Sequence, residues 1–229
     1  EEGTLLSQAA EVFWAPSAAF GYRTNADMTF PDVEDEKGDA QPLSNGRFIK
    51  FLENRDRDVR KRAFEAMYDT YGQFGNTLAS TLAGSVKLHN FNARVRKFDS
   101  AREAALHPDQ IPTALYDTLI EATHEGLPMF YDYIDLRKEV LGVDDINMYD
   151  MYVPMVPNFD IDVPYKKAVE YVKNSLAPMG EEYLKGVEEC FKERWIDVRE
   201  NKGKRSGAYS GGAYGTHPYI LLNYQDTLD

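Results

Sequence analysis

Four glycines, Gly207, Gly211, Gly212 and Gly215, fall within nine residues, interleaved with Tyr209 and Tyr214. Nothing else in the chain constrains local structure so tightly. Glycine admits positive φ and close backbone approach, so this density marks a tight turn or a surface against which another backbone lies. The run Tyr219-Ile220-Leu221-Leu222 that follows is β-prone. A polar strand, a glycine turn and an apolar strand read together as a hairpin with an irregular loop. An exposed strand edge of this kind suits peptide capture by strand addition.

The rest of the chain is dominated by helical periodicity. Residues 1–24 begin as a helix that breaks at Pro16, and 28–43 suggest an acidic hairpin with Gly38 in its turn. Ser44 or Asn45 can cap a helix over 46–53, and Asp56 a second, long one. Phe64, Tyr68, Tyr71, Leu78, Leu82 and Val86 recur at helical spacing, while Gly72, Gly75 and Gly84 leave room for a close neighbour. Arg55, Arg57, Arg60, Lys61 and Arg62 read as a solvated first turn, and His89 as a hydrogen-bonded interior histidine. Leu115, Leu119 and Ala122 line a helix expected to end at Gly126-Leu127-Pro128. Met129, Tyr133, Leu136 and Val140 line the next, closed by Gly142. Residues 146–157 suggest an edge strand, and Pro164 and Pro178 each open a further helix. The expected fold is mainly α, a single multi-helix domain over 1–229 with a small β-sheet or hairpin. That sheet is drawn from 30–43, 147–156 and 207–222.

Charge and composition narrow the function. A net charge of −12 disfavours nucleic acid, whose phosphates demand clustered Lys and Arg. An apolar fraction of 43% supports a core, and no apolar run is long enough to cross a membrane. The lone Cys190 forms no intrachain disulfide and fits a reducing compartment. The glycine stretch matches neither phosphate-binding loop, and Ser210 stands in Y-S-G-G rather than G-x-S-x-G. His89, His107, His124 and His217 lack metal-ligand spacing.

Five strings, taken in order, resemble one family. They are NADMTFPDVEDEKG at 25–38, LSNGRFIKFLENRDRDVRKRAF at 43–64 and NTLASTLAGSVKLHNFNARVRKFDSAREAAL at 76–106. LRKEVLGVDDINMYDMYVPMV at 136–156 and GAYSGGAYGTHPYILLNYQDTLD at 207–229 complete the set. Together they are similar to the oligoendopeptidase F branch of the thimet-oligopeptidase-like zinc metallopeptidases. The resemblance implies part of a larger helical, channel-bearing zincin-type enzyme that hydrolyses short peptides in the cytoplasm. It implies zinc in the complete enzyme, held by an H-E-x-x-H helix that would follow Asp229, so this chain carries no catalytic residue and no metal by itself. Gly207, Ala208, Tyr209, Ser210 and Gly211 are expected along the bound oligopeptide, as substrate-channel wall. The partner expected beside the substrate is the missing C-terminal catalytic half, with neither nucleic acid nor membrane involved. The alternative is a stand-alone, non-catalytic helical domain that binds peptide or protein.

Overall fold

The computed structural model describes residues 2–156 and 161–226. The chain opens with α1 (Glu2–Phe13) and α2 (Ala15–Tyr22), which runs into a π-helical turn over 23–27. A short antiparallel hairpin follows, β1 (Val33–Glu34) with β2 (Ala40–Gln41), then α3 (Phe48–Leu52), α4 (Arg57–Gly72) and α5 (Gly75–Val95). Next come α6 (Ala101–Leu106) and α7 (Thr113–Leu141), then α8 (Tyr165–Ser175) and α9 (Glu181–Lys192). The chain then enters a three-stranded sheet of β3 (Ile196–Asp197), β4 (Tyr209–Gly211) and β5 (Tyr219–Leu221). The fold is mainly α with small sheets, as the sequence implies.

The principal core forms where α4 lies across α3 and the hairpin. Val59, Ala63 and Met67 recur every fourth residue and meet Val33, Leu43 and Phe51. Asp56 starts α4, its carboxylate accepting the Asp58 N–H at 2.8 Å. That contact satisfies one orphan donor of the first turn. The long helix expected from Asp56 is interrupted at Gln73-Phe74, which separates α4 from α5. Gly84 on α5 does what a small residue allows, since a Cβ there would lie 3.0 Å from Pro16 Cγ on α2. His89 is exposed rather than interior. Its surroundings on α5 explain this, because Leu82 and Val86 are themselves open to solvent.

Three further expectations are corrected. No break occurs at Gly126-Leu127-Pro128, and α7 runs 29 residues with Pro128 inside it. Gly142 at φ +64° closes it: its N–H reaches Glu139 O and the Val143 N–H reaches Lys138 O, a Schellman arrangement. Residues 146–156 form no strand, and Pro157 lies outside the described residues. Asn147 and Asp150 instead close a capping box around the 3-10 turn Met148–Asp150. Pro178 sits in its own 3-10 turn, and α9 begins beyond Gly180.

The basic cluster is the largest departure. Arg60 is 3% exposed and Asp150 is fully buried, joined at 2.7 Å. Arg57 donates to both oxygens of the same carboxylate, at 3.1 and 2.9 Å. Arg60 also donates to the carbonyls of Asn54, Arg55 and Tyr149. From the far side Arg137 reaches the Asp150 and Val153 carbonyls. Three arginines therefore bolt the 145–153 loop between α4 and the end of α7. Burial alone would push the Asp150 carboxyl up, but hydrogen bonds from Arg57, Arg60 and the Asn147 N–H hold it below the usual carboxylate range.

Candidate functional site: a free strand edge

The order β3-β5-β4 leaves β4 at one edge, and among the described residues no strand pairs with its outer side. β5 is parallel to β3 and antiparallel to β4. The N–H groups of Ile220 and Leu222 bond to Trp195 O and Asp197 O, each at 2.8 Å, so those residues face β3. Backbone groups alternate in direction along a strand, so Tyr219 and Leu221 face β4. Their partners are Gly211 and Tyr209, and Ser210 pairs opposite Ile220. It follows that the N–H and C=O of Ser210 point to the free edge. Of the five residues expected on the peptide, Ser210 is the one in the strand whose backbone is unpaired there.

The flanking residues fix this edge. Gly207 turns the chain into β4 at φ +83°, a conformation that an L side chain strains to adopt. The Asn223 side-chain amide donates to Arg205 O and Gly207 O, at 2.8 Å each, tying the entry of β4 to the residues after β5. Tyr209 lies back over Gly211, where a Cβ would meet its ring. At Gly212 a Cβ would meet backbone, His217 O at 3.2 Å and Pro218 Cα at 3.3 Å. Gly212 therefore sets the hairpin's closure, whereas Gly211 only makes room for a movable side chain.

Around this edge the sheet is braced. His217 stacks on Trp195 with centroids 4.6 Å apart and touches the Tyr219 ring at 4.5 Å. Its Nδ1 lies 2.9 Å from Pro218 O, and since a carbonyl only accepts, Nδ1 carries the proton. Lys204 Nζ bonds Asp197 Oδ1 and the Asp197 and Arg199 carbonyls, so this lysine is consumed structurally. Glu200 accepts from Arg47 at 3.0 Å and from Ser44, anchoring the sheet to the start of α3. Tyr224 Oη donates to Val163 O at 2.5 Å, anchoring its other end before α8.

The four histidines are not brought together. Among the described residues no group of three or more His, Cys, Asp or Glu could hold a metal. Likewise no hydrogen bond from a described residue activates the Ser210 hydroxyl. Sequence reasoning missed Asn223 as a support of this site, because it acts on the backbone carbonyls of Arg205 and Gly207, which no residue pattern signals.

A cavity of about 910 Å³ opens beside the entry to β4, between α2, α5 and residues 205–206. The exposed face of α7 is the other large feature. Leu115, Leu119, Met129, Tyr133, Leu136 and Val140 are each at least 41% exposed. No helix among the described residues is long and apolar enough to cross a membrane.

Comparison with known proteins places these features in context. Residues 50–229 match the profile of peptidase family M3. The chain is 49% identical over 229 residues to Oligopeptidase PepF of Bacillus subtilis, covering all of this chain and 34% of that protein. It is 48% identical to Group B oligopeptidase PepB of Streptococcus agalactiae, covering 100% and 38% respectively. The chain thus spans little more than a third of the length of these relatives. Among solved structures, oligoendopeptidase-F from Enterococcus faecium matches with a TM-score of 0.66 and 41% identity, over 83% of this chain and 35% of that one. PZ peptidase A, solved with an inhibitor, shares the fold at a TM-score of 0.76 and 20% identity, over 93% of this chain and 38% of that one.

Proposed function

Because this chain belongs to peptidase family M3, we propose that it supplies substrate-channel wall to a zinc-dependent metalloendopeptidase of short oligopeptides. In this reading the extended peptide adds as a strand to β4. Ser210 exchanges backbone hydrogen bonds with it, Gly207 and Ala208 lead into the contact, and Tyr209 and Gly211 hold β4 on β5. The observation that carries the reading is the unpaired edge of β4, held in place by Asn223 and Gly212. Recognition through backbone groups favours extended peptides over particular sequences, which suits an oligopeptidase.

Zinc does not fit the described residues, since they offer no ligand set. No chemical step is therefore assigned to this chain. The reactive centre belongs to the remaining polypeptide, the expected catalytic half, and this chain alone is inactive. The exposed stripe on α7 is the surface offered to that half. A cytoplasmic location belongs to the same proposal, consistent with the unpaired Cys190.

Calorimetric titration of this chain with a neutral oligopeptide tests the reading. Binding is expected, and it weakens when the peptide amide facing Ser210 is N-methylated, because a strand hydrogen bond is lost. Gly212→Val, which presses on His217 and Pro218, should weaken binding further than Gly211→Ala. Absence of binding, or indifference to N-methylation, would overturn it.

A further inference from the structure

We infer that Arg205 receives the C-terminal carboxylate of the peptide and thereby sets the direction in which the peptide lies on β4. The inference rests on the strand-addition reading above and goes beyond it by fixing polarity and naming a terminal group. Three observations carry it.

The first is charge. In a chain of net charge −12, the cavity beside the entry to β4 is lined by no acidic residue, and Arg205 is its one charged side chain. The remaining lining mixes apolar residues with neutral polar ones such as Ser17, Asn25, Thr81 and Ser85. Such a surface attracts an anion and repels an ammonium group.

The second is availability. Lys204 is committed to Asp197, Arg199 to Asp226 and Arg47 to Glu200. Arg205 has no ion pair or side-chain hydrogen bond with any described residue. Its guanidinium nevertheless rests against α2, where a Cβ on Gly21 would lie 3.3 Å from its Nη2. The backbone of Arg205 is fixed too, its carbonyl accepting the Asn223 amide. A planar guanidinium so placed presents paired donors that match a carboxylate.

The third is direction. Arg205 precedes Tyr209 in the chain and so stands at the entry end of β4. A peptide running antiparallel to β4 carries its C-terminus toward that end. A parallel peptide would bring its ammonium group there instead, against Arg205. The cation therefore selects antiparallel addition, with the free carboxylate over the cavity.

The experiment compares a labelled neutral oligopeptide as its free acid and as its C-terminal amide, by fluorescence anisotropy with this chain. The free acid is expected to bind about tenfold more tightly, as one charge-assisted contact implies. That difference shrinks in high salt. Arg205→Gln should weaken free-acid binding about tenfold, to the level of the amide, and Arg205→Lys should restore part of the difference. Equal binding of acid and amide by the unaltered chain overturns the inference and leaves strand addition standing. Binding of neither peptide overturns both. If an amidated peptide ending in Asp binds as tightly as the free acid, Arg205 reads acidic side chains, and the assignment to the terminus fails.

Discussion

A single carboxylate carries more structural consequence than any other side chain in the molecule. Asp150 is fully buried and takes hydrogen bonds from Arg57 and Arg60, while Arg137 holds the backbone of the same loop. Removing it leaves two guanidinium groups without their counter-charge, one of them buried. Asp150→Ala should therefore cost about 3 kcal/mol of stability, read from urea denaturation, because breaking a buried pair is far worse than never having built it. The pH dependence has a definite sign. The folded carboxyl titrates below its unfolded value near 3.9, so its contribution is present above about pH 4 and lost as pH falls through the folded value. Hydrogen exchange in residues 145–153 should accelerate in that acid window in the unaltered chain, and should show no such step in Asp150→Asn. None of this is legible in the sequence. The Arg-rich run at 55–62 has the look of any exposed first turn, and only tertiary structure brings a carboxylate about ninety positions away to its foot.

On the scale of elements, α7 is the instructive case. Leu115, Leu119, Ala122, Gly126, Met129, Tyr133, Leu136 and Val140 follow one another at steps of four and three without losing phase. That unbroken period was the signal for one helix, and local breaker chemistry at 126–128 obscured it. Pro128 costs its missing hydrogen bond and a ring clash, yet the turns on either side continue. The glycine hairpin was readable for the opposite reason, since its turn chemistry is local and decisive. The 147–156 segment was not, because an Asn–Asp capping box and an arginine cage override its alternating pattern. Gly126 offers a test. A Cβ there meets nothing within 4 Å, so Gly126→Ala should stabilise this chain by roughly 0.5–1 kcal/mol, measured as a rise in thermal midpoint. Gly84→Ala should gain less or lose, because its Cβ presses on Pro16.

For the whole molecule the governing quantity is surface. The chain exposes 16724 Å², whereas a compact monomer of its mass exposes about 10,600 Å². Many large hydrophobic side chains stand exposed on it, and the α7 stripe extends for roughly 40 Å at 1.5 Å per residue. Such a surface should bind a hydrophobic dye and drive self-association of this chain, seen by light scattering. Leu119→Lys with Met129→Lys should reduce both, and an unchanged scattering profile would show that the stripe is not the adhesive surface. The sheet adds a constraint on time rather than on contact. β5 is last in sequence yet central in space, lying between β3 and β4. During synthesis β3 and β4 have no partner in this sheet until Tyr219–Leu221 emerge, so the edge that would receive a peptide comes into being only once β5 is made, and all at once.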